Sequence, residues 1–288
     1  MATGRTIEFL AADSDFDSAD MVVLGVPFDR TSSFRRGAAE GPAAIRAASD
    51  VLETYSPVLE RDLEDCRLHD LGDVRMPSAY TPGATVGAIE SVVKAVTRII
   101  HSSKIPAVIG GNHSITVPIV REIASRREDV AVLYFDAHLD LRPEYEGRTD
   151  SHASTARRLL DFLEPENLFI VGGRSGMRTE FEEAQNLGLL HPFTPEGIDR
   201  IVREVGSRPV YITFDTDVFD PSVAPGVTTP EPGGASFNNF VTVLPALANL
   251  NIIGFDVVEV CPPADPCGVT AVVAAKVVRE LICAAIAE

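Results

Sequence analysis

Short apolar runs alternate along the chain with longer segments in which apolar positions recur every three or four residues. The runs are Met21–Pro27, Arg67–Leu71, Ile105–Ile109, Val130–Phe135, Leu168–Val171, Val210–Phe214 and Ile252–Val258, and most of them are almost continuously hydrophobic. Strands of that kind are covered on both faces, as in a parallel sheet between helices. The intervening Pro42–Thr54, Val86–Ser102, Thr116–Ser125, Ser154–Phe162, Glu196–Val205, Asn238–Leu250 and Thr270–Ala287 carry helix-compatible patterns. The alternation predicts an α/β chain in three layers, helices on either side of one sheet. No short-period repeat, low-complexity tract or linker divides it, so residues 1–288 are expected to form a single domain.

Composition narrows the class of partner. The opening residues mix acids with small polar side chains and offer no basic stretch followed by an apolar one. The most apolar long stretch, Val269–Ala287, is interrupted by Lys276, Arg279 and Glu280 and reads as a packed helix rather than a membrane span. A cytoplasmic chain without a membrane partner is expected. The net charge of −17 repels phosphate backbones, which argues against nucleic acid. It permits a cationic ligand, although a solubilising acidic surface accounts for it as well. Cys66, Cys261, Cys267 and Cys283 show no CxxC spacing and read as reduced thiols.

The chemistry gathers where strands end. In open parallel sheets ligands bind beyond the carboxyl ends of the strands. Ile105–Ile109 runs into Gly110, Gly111, Asn112 and His113, and Val130–Phe135 into Asp136, Ala137, His138, Leu139 and Asp140. Val210–Phe214 runs into Asp215, Thr216 and Asp217, and Ile252–Val258 into Glu259. Alternate positions on an extended chain face one side, so Asp136, His138 and Asp140 form a set of metal-ligand type. Asp215 and Asp217 repeat the spacing, and His113 adds an imidazole after a Gly-Gly turn. Taken singly, each motif reads equally well as a helix cap or a solvated turn. Jointly, crowded carboxylates repel or take up protons, and two divalent cations fit their charge better than one.

GGNHS, DAHLD, SHAS, TFDTDVFDPSVAPGVTTPEPGG and DVVEV, in that order, resemble the signature of the ureohydrolases, the arginase and agmatinase superfamily. VLGVPFDRTSSFRRGAAEGPAAIRAAS and GVTAVVAAKVVRE resemble agmatinase segments, so the likeness spans nearly the whole chain. It implies an arginase-like sheet, mainly parallel, of about eight strands. It further implies two Mn²⁺ per chain, one held by His113, Asp136, Asp140 and Asp215 and the other by Asp136, His138, Asp215 and Asp217. Oxygen-rich ligands with some imidazole suit Mn²⁺, while zinc or iron stays open from the ligands alone. Asn112 departs from the acidic residue usual in the family, and an effect on the orientation of His113 is expected.

The implied reaction is cleavage of a guanidinium group to urea and an amine. Two cations roughly 3.5–4 Å apart would activate water. Asp140 would pass a proton to the leaving amine, His152 would act as a mobile proton shuttle with a pKa near working pH, and Glu259 would pair with the guanidinium. His152 also reads as a helix-start residue beside the Ser151 cap, and Glu259 as a structural ion-pair partner. Agmatine is the expected substrate, because the stretch Leu141–Ser151 looks agmatinase-like and its acids Glu144, Glu146 and Asp150 would meet a cationic amine. Arg142 and Arg148 pull toward a carboxylate instead. Arginine, guanidinobutyrate and aminopropyl-agmatine are the alternatives, and an inactive regulatory paralogue or a one-zinc deacetylase-like relative the other classes. The family resemblance implies a homo-oligomer, a trimer or hexamer.

Overall fold

The computed structural model describes residues 7–78 and 84–286. Its main sheet has strands β1 (Met21–Val26), β4 (Leu68–Asp73), β5 (Ile105–Gly110), β6 (Ala131–Phe135), β7 (Leu168–Val171), β8 (Leu190–His191), β9 (Pro209–Asp215) and β10 (Asn251–Val258). They stand in the order β4-β1-β5-β10-β9-β6-β7-β8, and every neighbouring pair is parallel. A short antiparallel pair, β2 (Tyr55–Ser56) and β3 (Arg61–Asp62), lies outside it.

The apolar strands face both ways, as their patterns require. Met21, Val23, Ile109, Leu133, Phe135, Ile212, Phe214 and Val257 join one buried cluster, while Val22, Leu24, Val26, Val108, Val132, Tyr134, Tyr211 and Val258 join another. The first is covered by α1 (Gly41–Ser49), α6 (Pro195–Val205), α7 (Phe237–Leu247) and α8 (Val269–Ala285). The second is covered by α2 (Ala84–His101), α3 (Thr116–Ala124), α4 (Thr155–Leu159) and α5 (Arg178–Asn186). In α2 the buried Ala88, Val92, Val96 and Ile99 recur at helical spacing. The predicted three-layer α/β plan is what the chain adopts.

Differences from the sequence expectations have local causes. The helix expected to run from Ser154 to Phe162 is regular only over Thr155–Leu159, and the C-terminal helix is described to Ala285, with Ala287 and the opening residues 1–6 outside the described residues. Helix α5 was not expected, because it buries only Glu180 and Ala184 and offers no apolar stripe. Strand β8, two residues at a sheet edge, is likewise too short to read. Among the described residues no helix is long and apolar enough to cross a membrane.

One feature of this topology positions the site. β5 and β6 are consecutive among the main-sheet strands in the chain, yet the later strands β10 and β9 lie between them. The carboxyl ends of β5, β10, β9 and β6 therefore stand side by side, at the kind of crevice where such sheets bind ligands. His113, Asp136 to Asp140, Asp215, Asp217 and Glu259 lie at or just beyond those four ends, whereas His152 comes from a later turn.

Candidate metal centre

Backbone geometry makes the site before side chains do. Gly111 lies so close to Phe28 that a Cβ there would collide with the Phe28 backbone, and Asn112 N donates to Phe28 O at 2.7 Å. Asn112 then caps the short 3-10 turn His113–Ile115, its Oδ1 accepting from Ser114 N at 3.2 Å. The two aspartate motifs use one shared device. Asp136 Oδ1 accepts from His138 N at 2.6 Å, and Asp215 Oδ1 from Asp217 N at 2.8 Å. Asp217 Oδ1 crosses to accept from Ala137 N at 3.1 Å, tying one turn to the other. One oxygen of each carboxylate thus shapes the chain, and the second is left to point inward.

Those second oxygens converge on the imidazoles. His113 Nδ1 lies 2.9 Å from Asp136 Oδ2, 3.2 Å from Asp215 Oδ2 and 3.8 Å from Asp140 Oδ2. His138 Nδ1 lies 3.0 Å from Asp217 Oδ2 and 3.4 Å from Asp136 Oδ1. Ligand atoms of His113, Asp136 and Asp140 form one compact group, and those of Asp136, His138 and Asp217 another, with Asp136 in both. The expectation of side chains alternating along an extended strand holds only in part. Asp140 has φ of 49°, in the left-handed region unusual for a non-glycine residue, so a turn rather than strand alternation brings its carboxylate in. Glu259 has the same peculiarity, with φ of 67°.

Electrostatics describe groups that want cations. Burial, followed by the charges of neighbouring carboxylates, holds Asp140, Asp215 and Asp217 above the ordinary aspartate range. Burial also opposes ionisation of Asp136, but His113 and His138 outweigh it and draw Asp136 down. Against burial, the surrounding aspartates raise both imidazoles. Asp136 Oδ2 and Asp217 Oδ2 are buried without a hydrogen-bond partner, although each lies near an imidazole nitrogen. The ligand atoms of each group lie within 4.8 Å of one another, close enough to share one ion. The donor set of carboxylates with two imidazoles therefore fits divalent cations.

Support for His113 comes from residues the sequence reading passed over. Asp256, in the middle of β10 and fully buried, accepts from Thr213 Oγ1 at 2.6 Å, Tyr211 Oη at 2.8 Å and Thr116 Oγ1 at 3.0 Å. With its proton given to Asp256, the Thr213 hydroxyl accepts from His113 Nε2, 2.9 Å away. That arrangement holds a proton on Nε2 and makes Nδ1, once its own proton is lost, the atom that would meet a cation. Tyr134 stacks on His113 with centroids 4.6 Å apart and donates to Asp140 Oδ2 at 2.7 Å. A charge inside an apolar strand, at Asp256, was the one signal of this network in the sequence.

Above these groups lies a cavity of about 270 Å³ that reaches His152, Glu259, Thr229, Ser33, Tyr145 and Arg142. His152 starts a 3-10 turn capped by Ser151, and also lines the cavity with Nε2 3.4 Å from Ser33 Oγ. The helix-start position agrees with one sequence expectation, and the same residue faces the cavity. Burial lowers its pKa to about 4, below the near-neutral value expected of it. Asn112 reaches farther than expected, since it binds the Thr31 hydroxyl at 2.5 Å and Ser32 Oγ at 3.1 Å, and Thr31 Oγ1 accepts from His152 N at 3.2 Å. Glu259 Oε1 accepts from His113 N at 2.6 Å, Oε2 accepts from Thr228, and burial raises its pKa to about 7.

The expected role of Glu144, Glu146 and Asp150 is corrected. Glu144 and Glu146 are exposed, Asp150 pairs with Arg148 at 2.9 Å, and none of the three lines the cavity. Arg142 does, 3.5 Å from Glu180 Oε2 and over the Tyr145 ring.

The profile of the Arginase family matches residues 19–284. An agmatinase of Bacillus anthracis is 38% identical over 278 residues, covering 95% of this chain and 94% of that one. A guanidinobutyrase of Pseudomonas aeruginosa is 30% identical over 296 residues, covering 98% and 92%. The crystal structure of the agmatine ureohydrolase of Thermoplasma volcanium superposes with a TM-score of 0.85 at 35% identity, covering 98% of this chain and 94% of that one.

Proposed function

We propose, from the premise that the chain belongs to the arginase family, that this hydrolase of amidine C–N bonds converts agmatine to urea and putrescine with two Mn²⁺. The observation that carries the reading is the convergence of His113, Asp136, Asp140, His138 and Asp217 in two groups sharing Asp136, at the ends of adjacent strands. Asp215, with Oδ2 at 3.2 Å from His113 Nδ1, completes the set. One cation would be held by His113, Asp136, Asp140 and Asp215, the other by Asp136, His138, Asp215 and Asp217. Bound there, the pair supplies Lewis-acid activation of water at neutral pH.

The remaining work belongs to the protein. Glu259, on the cavity wall, receives the guanidinium N–H groups and turns the guanidinium carbon toward the aspartates. Addition of water oxygen to that carbon releases a proton, and Asp140, steadied by Tyr134, takes it. Collapse of the tetrahedral intermediate breaks the bond to the leaving nitrogen, and Asp140 returns the proton to that nitrogen. His152, neutral at rest because of its burial, exchanges protons between the product amine and solvent at Nε2. The same proposal takes the chain as one catalytic unit, in the cytoplasm and assembled as a trimer or hexamer.

Support for agmatine comes from the relatives and not from acids at the cavity mouth. Arg142 favours a second reading, in which the substrate ends in a carboxylate, as in a guanidino acid. Urea release from agmatine, arginine, 4-guanidinobutyrate and aminopropyl-agmatine by Mn²⁺-loaded protein tests both. Agmatine is expected to exceed arginine in kcat/KM by roughly 5- to 150-fold, a local discrimination of 1–3 kcal/mol. A preference for 4-guanidinobutyrate transfers the assignment to the second reading, and no urea from any of them removes both.

A further inference from the structure

The two metal-bearing turns are joined by one residue that is not a ligand candidate. Beyond β7 the chain runs from Gly172 to Ser175 beside the Asp136–Asp140 turn, with His138 and Ser175 forming a parallel bridge. Arg174 N and Ser175 N both donate to Ala137 O, at 2.7 and 2.8 Å, and Leu139 N returns a bond to Ser175 O at 3.1 Å. The Arg174 side chain reaches the other turn. Its guanidinium donates to Asp217 O at 2.9 Å, Val218 O at 3.1 Å and Phe219 O at 3.3 Å, and to Glu231 O at 2.6 Å and Pro232 O at 3.3 Å in the following loop. The 3-10 turn Thr216–Val218 is too short to satisfy its own carbonyls, and the forked guanidinium is the side chain with enough donors to do so. Gly234 lets it sit there, since a Cβ at that position would lie 2.5 Å from Nη2.

We infer that Arg174 is a positioning residue that sets His138 and Asp217 against each other, and so governs the affinity of the cation those two residues would share. The inference rests on the binuclear reading above. It differs from a general stabilising role in being one-sided. His113 is held by Thr213 and Asp256, groups that Arg174 does not touch, so the two halves of the site have separate supports.

The test uses Mn²⁺ alone as probe. In the Arg174→Met variant, calorimetric and EPR-monitored titration should show one Mn²⁺ step weakened about 10- to 100-fold, the usual range for a residue that orients a ligand. The other step should stay within about threefold of wild type, and Arg174→Lys should recover part of the loss. Adding Arg174→Met to Asp217→Asn should cost little more than Asp217→Asn alone, because both act on one ligand. Hydrogen exchange of the chelated protein gives a readout independent of metal, with faster exchange expected over residues 216–219. Unchanged Mn²⁺ binding with unchanged exchange overturns the inference, as does equal weakening of both steps. If wild type fails to take up two Mn²⁺, the manganese reading falls, and the exchange at residues 216–219 still decides whether Arg174 holds the turn.

Discussion

Thr213→Val isolates the support beneath His113 with little change of shape. Valine keeps the β-branched form that suits the strand, and Thr213 is fully buried, so the hydroxyl is the only group lost. Three contacts go with it, the weakest being the 3.2 Å approach of Thr116 Oγ1. Asp256 Oδ1 loses its donor at 2.6 Å, although Tyr211 and Thr116 still reach Oδ2. His113 Nε2–H loses its acceptor and becomes a buried, unpaired donor. Stranding a buried donor costs about 1–3 kcal/mol, and a hydrogen bond to a charged acceptor contributes about 1.5–3 kcal/mol. The losses share one hydroxyl and do not add fully, so a destabilisation of about 2–4 kcal/mol is expected.

The functional consequence is separable from that cost. Freed from Thr213, the imidazole can place its proton on Nδ1, the atom directed at Asp136 and Asp215. Mn²⁺ affinity should fall about 10- to 100-fold. Urea unfolding in chelator measures the stability change, and Mn²⁺ titration of the folded variant measures the second. Thr213→Ser, which keeps the hydroxyl, should restore most of the affinity. Affinity within twofold of wild type in the valine variant would refute the claim that Thr213 fixes the imidazole, whatever happens to stability.

Three further outcomes are expected. Asp136→Asn or Asp215→Asn should abolish both metal occupancy and turnover, since each is assigned to both cations; near-normal turnover with two metals by elemental analysis would remove the bridging assignment. His152→Asn should leave metal content intact and lower kcat about 10²- to 10⁴-fold, the usual scale for a placed proton-transfer group, and an unchanged rate would leave His152 a helix-start residue only. The gain in Tm from Mn²⁺ over chelated protein should grow as pH rises from the carboxylate range through the imidazole range. The sign follows from the protein groups alone: Asp140, Asp215, Asp217, His113 and His138 have raised values in the folded chain, so their stabilisation is full below their unfolded pKa and lost as pH rises, whereas Asp136 acts oppositely. Cations must displace those retained protons, and a gain in Tm that is flat or falls with pH counts against metal binding by these groups.

Legibility in the sequence followed how local the cause was. Strands buried on both faces announce themselves as apolar runs, which is why β1, β5, β6, β7, β9 and β10 were found nearly to their ends. Motif residues at those ends were legible for the same reason, because the rule locating a site beyond the carboxyl ends needs only the strands. Tyr134 and Thr213 were not, since each is a good strand former and nothing in the sequence says that its hydroxyl faces a ligand. Helix α5 escaped because its buried side is a carboxylate, Glu180, satisfied by Leu141 N at 3.0 Å and Met177 N at 2.7 Å. The bond from Leu141 N is tertiary, and neither leaves a periodic apolar trace.

Substrate choice is hidden for a related reason, and the structure relocates the question. The acids between Glu144 and Asp150 gave the stretch its anionic look, yet they face solvent or Arg148, and surface charge is screened beyond roughly 8 Å at physiological salt. The net charge of −17 therefore has little to do with the end of the substrate away from the guanidinium. What stands at the mouth is a cation, Arg142, partly balanced by the buried Glu180. Because both oxygens of Glu180 already accept backbone N–H groups, its charge is shared, and Arg142 keeps attraction to spare for an anionic group. An ammonium-ended substrate must then take its stabilisation from the Tyr145 ring face, over which Arg142 now lies, or from Glu180 once Arg142 swings aside. On the proposed reading, the preference between the two kinds of substrate would turn on which way the Arg142 side chain lies, a local question set above a candidate metal-ligand arrangement that would serve either.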